Sequence, residues 1–150
     1  MALVVNAIRR KPADLLLATE AFVLLTAFRI SLLVFPFRRI LRRISRSQPE
    51  TETDTSTNPF KKPGVLETAL NVRWAIESVS RNSPARFVCF PQSLAGFVML
   101  RRRGIPSTIV YGVGHSHVGN LIAHTWLIVG DRTVVGGEGS EQFEPIERWS

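Results

Sequence analysis

The chain has 150 residues, 45% of them hydrophobic and 21% charged, which is enough for one domain with a core but not comfortably for two. Its single cysteine excludes an internal disulfide and is typical of a reducing compartment. The formal net charge of +7 favours an acidic partner, an anionic membrane surface or nucleic acid, without choosing among them.

Residues 13–34 predict one strongly apolar helix. The stretch from Leu15 to Phe35 is long enough to cross a bilayer, but Glu20 and Arg29 would each cost about 2.5–3.5 kcal/mol near its centre. Its 13 Leu, Ile, Val and Phe residues would return about 0.3–0.6 kcal/mol each, so insertion is near break-even. A signal peptide is another alternative, although no clear cleavage site follows. We prefer a helix buried against the rest of the domain or a partner over a membrane span.

A short basic amphipathic helix is predicted next, from Phe37 to Ile44, with four arginines on its polar face. It is either an ordinary surface helix, a membrane-surface anchor or a dock for an acidic peptide. Residues 45–63 are rich in Ser, Thr, Glu and Pro, and they are predicted to form a flexible linker. The chain is thus divided into an N-terminal helical arm over 1–44, the linker over 45–63 and a globular domain over 64–150.

The globular part is predicted to hold two helices followed by three strands. Residues 64–82 carry apolar side chains at helical spacing, and a second helix begins at Cys89 and stops at Gly104. β-Branched residues predict strands over 107–113, 121–129 and 132–135, with a two-residue hairpin turn at Gly130-Asp131. Both faces of the middle strand are largely apolar, so we expect it to be covered on both sides. The predicted class is α+β, a small antiparallel sheet packed on the Cys89 helix.

Cys89 is the candidate nucleophile because it stands at a helix start, where unpaired amides and the helix dipole favour a thiolate over a thiol. A lone cysteine is more often a small buried hydrophobic residue, and a lone histidine on an apolar strand is more often a core residue. A helix-start cysteine followed by the strand-borne His124 is, however, the pair that cysteine hydrolases and acyl transferases use. In that chemistry the histidine takes the thiol proton and later gives one to the leaving amine.

A third catalytic residue, which would orient the His124 imidazole, can be sought from the strand register. If Gly130-Asp131 is the turn, residues whose numbers sum to 261 face each other, so His124 lies opposite Gly137. Asp131 is then about 20 Å from the imidazole at roughly 3.3 Å per residue, too far to orient it. Glu138, next to the facing position, is the predicted orienting carboxylate. A backbone carbonyl or a water molecule is the alternative.

The remaining histidines and the basic clusters give no strong indication of a metal site or a nucleic-acid site. His115 and His117 form an HxH pair without a second ligand cluster, so no metal and no cofactor are expected. Arg101 to Arg103 form a charge cluster at the helix C-terminus, which also offers a surface to steer an acidic peptide. Nucleic acid is not expected as a partner, because the basic residues lack interleaved aromatics and no recognised motif is present.

The residues around Cys89 and His124 carry a resemblance to a known family. The segments VCFPQSLAGFVMLRRRGIPSTIVYGVG, AHTWLIVGDRTVVGGE and FEPI are similar to the transglutaminase-like leader peptidase of lasso-peptide biosynthesis. More specifically, the chain resembles the free-standing peptidase half of the split B protein, over roughly residues 65–150. The apolar helix ending in PFRRILRRI is also similar to that family's N-terminal region.

The resemblance implies a papain-like/transglutaminase-like cysteine peptidase of the cytoplasm that removes the leader from a ribosomally made precursor. The implied partners are the precursor peptide with its leader, a small leader-recognition protein and an ATP-dependent lasso cyclase that closes the macrolactam on the freed amine. Cys89 is carried over as nucleophile and His124 as base. The family is described with a Cys-His-Asp triad, whereas the strand after the histidine hairpin here reads Val-Val-Gly-Gly-Glu, with no Asp.

Two alternatives come from other classes. One is a non-catalytic subunit of the same maturation machinery that binds the leader or a partner through a retained fold. The other is a membrane-associated basic protein that acts through residues 15–44. Membrane association is compatible with the sequence but is not the preferred interpretation.

Overall fold

The computed structural model describes residues 12–36, 39–40, 59–83 and 88–150. Most of the predicted amphipathic helix over 37–44 and most of the predicted linker over 45–63 lie outside the described residues. Of that helix, Arg39 and Ile40 are described; both are helical, and Ile40 packs against the core. The proposed division into arm, linker and domain therefore stays a prediction.

The described chain forms three α-helices and a four-stranded antiparallel sheet. The helices are α1 (Pro12–Val34), α2 (Val65–Asn82) and α3 (Cys89–Arg102). The strands are β1 (Thr108–His115), β2 (Leu121–Val129), β3 (Arg132–Val135) and β4 (Glu144–Trp149), in the spatial order β3-β2-β1-β4. Single turns of 3₁₀ helix occur at Pro59–Lys61 and Ser140–Gln142. The predicted α+β class is confirmed. The predicted helices over 13–34, 64–82 and from Cys89 to Gly104, and the three predicted strands, match to within two residues.

The strand β4 was not predicted from the sequence. It pairs with β1 at one edge of the sheet, and five of its six residues are exposed. An exposed edge strand buries neither face, so its sequence lacks the apolar alternation that identifies a strand. Pro145, tolerated only at such an edge or a bulge, also argues against a strand in a sequence reading.

α3 is the central helix of the fold. Nine of its 14 residues are buried, among them Leu94, Phe97 and Leu100. A methyl group added at Gly96 would lie 2.8 Å from the Leu127 side chain, so the helix axis runs close against β2. This close packing fixes where the start of α3, and therefore Cys89, sits on the sheet.

The end of α3 is capped as the sequence predicts. Gly104 has φ +68°, and the amides of Gly104 and Ile105 donate to the carbonyls of Arg101 and Leu100 at 2.9 and 3.0 Å. This pair of bonds is a Schellman motif, which satisfies two carbonyls that the helix end would otherwise leave open. The chain then turns directly into β1, so the helix that carries Cys89 and the sheet that carries His124 form one continuous unit.

α1 lies across α2 and α3 rather than apart from them. Ala21 and Leu25 on its inner side are completely buried in the common core. Glu20 extends this contact with ion pairs to Arg102 and Arg103 of α3, at 3.1 and 2.7 Å. Within the described ranges, α1 is also the one helix long and apolar enough to cross a membrane, a test that core helices and signal sequences pass equally.

The Glu20 ion pairs make the docking of α1 pH-dependent. Burial raises the pKa of Glu20, but hydrogen bonds and charge from Arg103 and Arg102 outweigh it, so the pKa lies below 4.5. A folded-state pKa below the unfolded value contributes stability that is present at neutral pH and is lost as pH falls through the folded value. We expect Glu20→Gln to lower the free energy of unfolding at pH 7 by about 1 kcal/mol, because water screens part of the interaction. Urea titrations at pH 7 and about pH 3.5 should show the difference from wild type shrinking at the lower pH.

Glu77→Gln is the matched control. Its carboxylate pairs with Arg73 and Arg81 of its own helix at 2.7 and 3.9 Å, so it supports no contact between helices. Its loss should cost roughly 0.3–0.5 kcal/mol. A Glu20→Gln variant no less stable than Glu77→Gln at pH 7 would show that the ion pairs between α1 and α3 contribute no more than an exposed pair within one helix.

Candidate active site

Cys89 is the first residue of α3 and is partly exposed as a free thiol. The residue before it, Val88, has an extended backbone (φ −74°, ψ 169°) and acts as the N-cap residue. A valine side chain has no atom that can accept a hydrogen bond, so it cannot satisfy the first amides of the helix. The sulfur therefore stands at a helix N-terminus that presents N–H groups, the arrangement that an attacking thiolate and an oxyanion both favour.

A pocket of about 190 Å³ opens beside this sulfur. It is lined by Cys89 and Phe90 from α3, Tyr111 from β1, and Ala123, His124 and Thr125 from β2. The structure thus brings together the two residues that the sequence predicts as nucleophile and base. Because a protein cavity of about 150 Å³ is large enough to bind benzene, this pocket has room for one apolar side chain of a bound peptide.

The sulfur and the imidazole belong to residues that line this one pocket. Among the residues that the structure describes, no hydrogen bond joins Cys89 to His124. Side chains alternate along β2, so the His124 ring leaves the same face as Trp126 and the opposite face from Ala123 and Thr125. The pocket is therefore bordered by residues from both faces of β2. Catalytic hydrogen bonds are often long in unliganded enzymes and tighten when substrate binds, so a closer approach of this pair is what catalysis requires.

The imidazole of His124 is held by a backbone carbonyl. Its Nε2 lies 2.7 Å from the Gly136 oxygen, and since a carbonyl only accepts, Nε2 donates the proton. In the neutral ring the lone pair then resides on Nδ1, which is the atom available as a base. The rings of Trp126 and Phe143 flank the imidazole with centroids at 5.9 and 5.0 Å. These contacts fix both the tautomer and the plane of the ring.

A β-bulge brings Gly136 to this position. The predicted register, in which residue numbers sum to 261, holds for the pairs Val129–Arg132 and Ile128–Thr133. It fails at the next pair, Leu127–Val135, whose numbers sum to 262. Val134 is therefore the extra residue, and β3 ends before it can place Gly137 opposite His124. The predicted facing of His124 and Gly137 is wrong for this reason, since a bulge leaves no signal in the strand pattern.

Gly136 is also a position where a side chain is excluded. Its φ of +72° is left-handed, and a Cβ there would lie 2.8 Å from the Thr125 carbonyl. The glycine lets the chain turn so that its own carbonyl reaches the imidazole. The Gly-Gly pair after a short strand is the signal from which this role could have been read.

Glu138 lies on the exposed loop that follows β3, outside the lining of the pocket. The hydrogen bond of Nε2 goes to Gly136 and not to this carboxylate. The role of Glu138 as orienting acid remains a prediction, and the backbone carbonyl, which was the alternative, occupies the position beside the ring. Asp131 sits in the hairpin turn at the far end of β2, as expected.

The remaining candidates have no part in the pocket. Arg102 and Arg103 stand at the opposite end of α3 from Cys89 and pair with Glu20. His115 and His117 lie exposed near the β1–β2 turn. Within the described ranges no group of three or more His, Cys, Asp or Glu side chains could hold a metal ion.

The family of the chain follows from comparison with known proteins. A family model described as the Transglutaminase-like superfamily matches residues 22–148, which include the second half of α1, Cys89 and His124. The chain therefore belongs to the transglutaminase-like superfamily, a fold that commonly carries cysteine peptidases and transglutaminases. Searches of the curated proteins and of the solved structures returned no match.

Proposed function

We propose that this protein is a cysteine peptidase that cleaves the leader from a ribosomally synthesised lasso-peptide precursor before a partner cyclase closes the macrolactam. The observation that carries the peptidase chemistry is the shared pocket of Cys89 and His124 in a transglutaminase-like chain. The choice of a lasso-peptide leader as substrate is supported by the sequence resemblance alone.

The proposed chemistry requires the His124 ring to come within hydrogen-bond reach of the Cys89 sulfur when substrate binds. His124 Nδ1 takes the thiol proton, and the Cys89 sulfur attacks the carbonyl carbon of the leader–core peptide bond. Amide N–H groups at the start of α3 stabilise the oxyanion of the tetrahedral intermediate. The imidazolium then protonates the departing core amine as the C–N bond breaks, which leaves the leader as a thioester on Cys89. Water, deprotonated by His124, hydrolyses this thioester and restores the thiol.

The Gly136 carbonyl takes the place that a carboxylate occupies in a triad. Its hydrogen bond with Nε2–H strengthens when the ring becomes positively charged, because charge-assisted hydrogen bonds are stronger than neutral ones. A carbonyl dipole stabilises an imidazolium less than a full negative charge does. This arrangement therefore supports base catalysis and orients the ring, but with less driving force than an ionised acid would supply.

The proposed partners are the precursor peptide with its leader, a small leader-recognition protein and an ATP-dependent lasso cyclase, and the proposed location is the cytoplasm. A pocket of about 190 Å³ accommodates one residue of an extended peptide. A second protein that grips the leader would supply the affinity that so small a pocket does not.

Mass spectrometry of a precursor incubated with this protein and the recognition partner tests the proposal. We expect two new masses that add up to the precursor plus one water, the core fragment carrying a free N-terminal amine. A control without the recognition partner should show slower cleavage. An intact precursor in every combination, including with the cyclase present, would contradict the peptidase assignment.

A non-catalytic subunit that binds the leader or a partner is the second candidate. It is favoured by one observation, that within the described part of the chain neither Cys89 nor a carboxylate is hydrogen-bonded to the His124 ring, whose partner is the Gly136 carbonyl. This candidate predicts that the protein binds the precursor and leaves it intact. Binding measured by fluorescence anisotropy, together with the mass spectra, separates the two functions.

A further inference from the structure

The outward side of α1 carries a stripe of large apolar side chains that the peptidase chemistry does not use. Leu16, Val23, Leu33 and Val34 are 73%, 57%, 82% and 66% exposed. At about 3.6 residues per turn, Leu16, Val23 and Val34 lie within about 20° of one another around the helix axis, and Leu33 lies about 100° to one side of them. Only 11% of the most apolar window of α1 is buried. Soluble proteins seldom leave so long an apolar stripe in water, and one of this kind marks an interaction surface.

The inner side of α1 fixes how the helix can be oriented. Ala21 and Leu25 are fully buried, and Glu20 pairs with two arginines of α3, so α1 stays docked along the domain. Its neighbour α2 carries Arg73 and Glu77 on its accessible surface. An α1 that crossed a bilayer while docked in this way would bring those charges into hydrocarbon, which is costly. The stripe is therefore presented along the surface of the domain.

Charge selects the occupant of this surface. Residues 9–11 hold three basic residues and residues 38–46 hold five, and neither segment contains an acidic one. The two ends of α1 are thus both flanked by positive charge, whereas a spanning helix is usually flanked by an excess on one side only. Basic residues at both ends of an apolar stripe match a helix that lies in the plane of an anionic lipid surface.

We propose that the outward face of α1, a stripe about 35 Å long, lies in the headgroup region of an anionic phospholipid bilayer while its inner face stays docked on α2 and α3. The helix does not span the membrane. This inference is independent of the peptidase chemistry, since it rests on α1 and its flanking charges alone.

Vesicle flotation of the full chain tests the inference. The vesicles are phosphatidylcholine alone or phosphatidylcholine with about 30% phosphatidylglycerol. The variant is the triple substitution Leu16→Gln, Val23→Gln, Leu33→Gln. Its matched control is Val118→Gln, Leu121→Gln, Ile146→Gln, which removes three similarly exposed aliphatic side chains from the β1–β2 turn, β2 and β4. Circular dichroism establishes that each variant is folded.

We expect the full chain to float with the anionic vesicles, and less so as salt rises from about 0.1 to about 0.5 M. The triple substitution on α1 should reduce vesicle partitioning at least about tenfold, and the triple substitution of the control should reduce it less than about twofold. Alkaline carbonate should release the bound protein.

Equal binding by wild type and the α1 triple variant, equal binding to neutral vesicles, or resistance to carbonate would each overturn the proposal. A dimer in sedimentation that only the α1 triple dissolves, without vesicle binding, would assign the stripe to a second copy instead. Leader cleavage by the α1 triple in lipid-free solution reports separately on the peptidase proposal.

Discussion

Replacing Cys89 by alanine is expected to lower the rate constant of leader cleavage by at least about 10⁴-fold while precursor binding is unchanged. The substitution removes the nucleophile from the edge of the pocket, and the rest of the pocket wall remains. Alanine is a good helix former, and Cys89 is only partly buried, so the start of α3 should keep its geometry. The measurement is the initial rate of core-peptide release by mass spectrometry, with anisotropy to follow binding.

Ser93→Ala is the matched control for this experiment. Ser93 lies one turn further along α3, and its buried hydroxyl has no hydrogen-bond partner among the described residues. Removing an unsatisfied buried hydroxyl should be neutral or slightly stabilising, so cleavage should stay within about threefold of wild type. Cleavage by Cys89→Ala at the wild-type rate would remove the peptidase assignment and leave the binding subunit as the better account.

The sequence patterns predict most of the fold because its inner elements each bury an apolar face. β2 and β3 begin and end at the predicted residues, and the Gly130-Asp131 turn between them forms as expected. Helix α3 also begins at the predicted Cys89 and is closed by the predicted Gly104 after its last turn. In these elements local propensity and burial agree, which is the condition under which a sequence pattern is informative.

What the patterns do not predict is set by contacts between elements that are distant in sequence. The edge strand β4 has no buried face, and the bulge at Val134 shifts the register by one residue without a change in composition. The ion pairs of Glu20 join residues 82 and 83 positions apart in the chain. No periodicity encodes such a pairing. The same limit explains why a backbone carbonyl, that of Gly136, was not singled out as the group that holds His124.

The candidate site shows how these two kinds of information combine. The two side chains whose chemistry the sequence identifies, Cys89 and His124, border one pocket. The group that orients the imidazole is backbone, so its position depends on a bulge and a left-handed glycine rather than on residue type.

Replacing His124 by glutamine is the second change with a large expected effect. Among the described residues that line the pocket with Cys89, it removes the one imidazole or carboxylate, while glutamine keeps a side chain of similar length that can donate to the Gly136 carbonyl. We expect the cleavage rate to fall about 10³- to 10⁴-fold, because the thiol then loses its proton acceptor and the core amine its proton donor. His117→Gln, an identical change on the exposed β1–β2 turn, should leave the rate within about twofold.

Two further variants decide which group orients the ring. Gly136→Ala places a methyl group against the Thr125 carbonyl in a left-handed conformation, so the carbonyl that accepts from Nε2 must move. If the carbonyl is the orienting group, Gly136→Ala lowers the cleavage rate about tenfold or more, and Glu138→Gln leaves it nearly unchanged. The ¹⁵N chemical shifts of the His124 ring would show the same distinction without reference to activity, since Gly136→Ala alone should disturb the Nε2–H tautomer. A large loss of rate in Glu138→Gln with the tautomer intact in Gly136→Ala would instead assign the third role to the carboxylate, which would then have to swing from its exposed loop onto the imidazole when substrate binds.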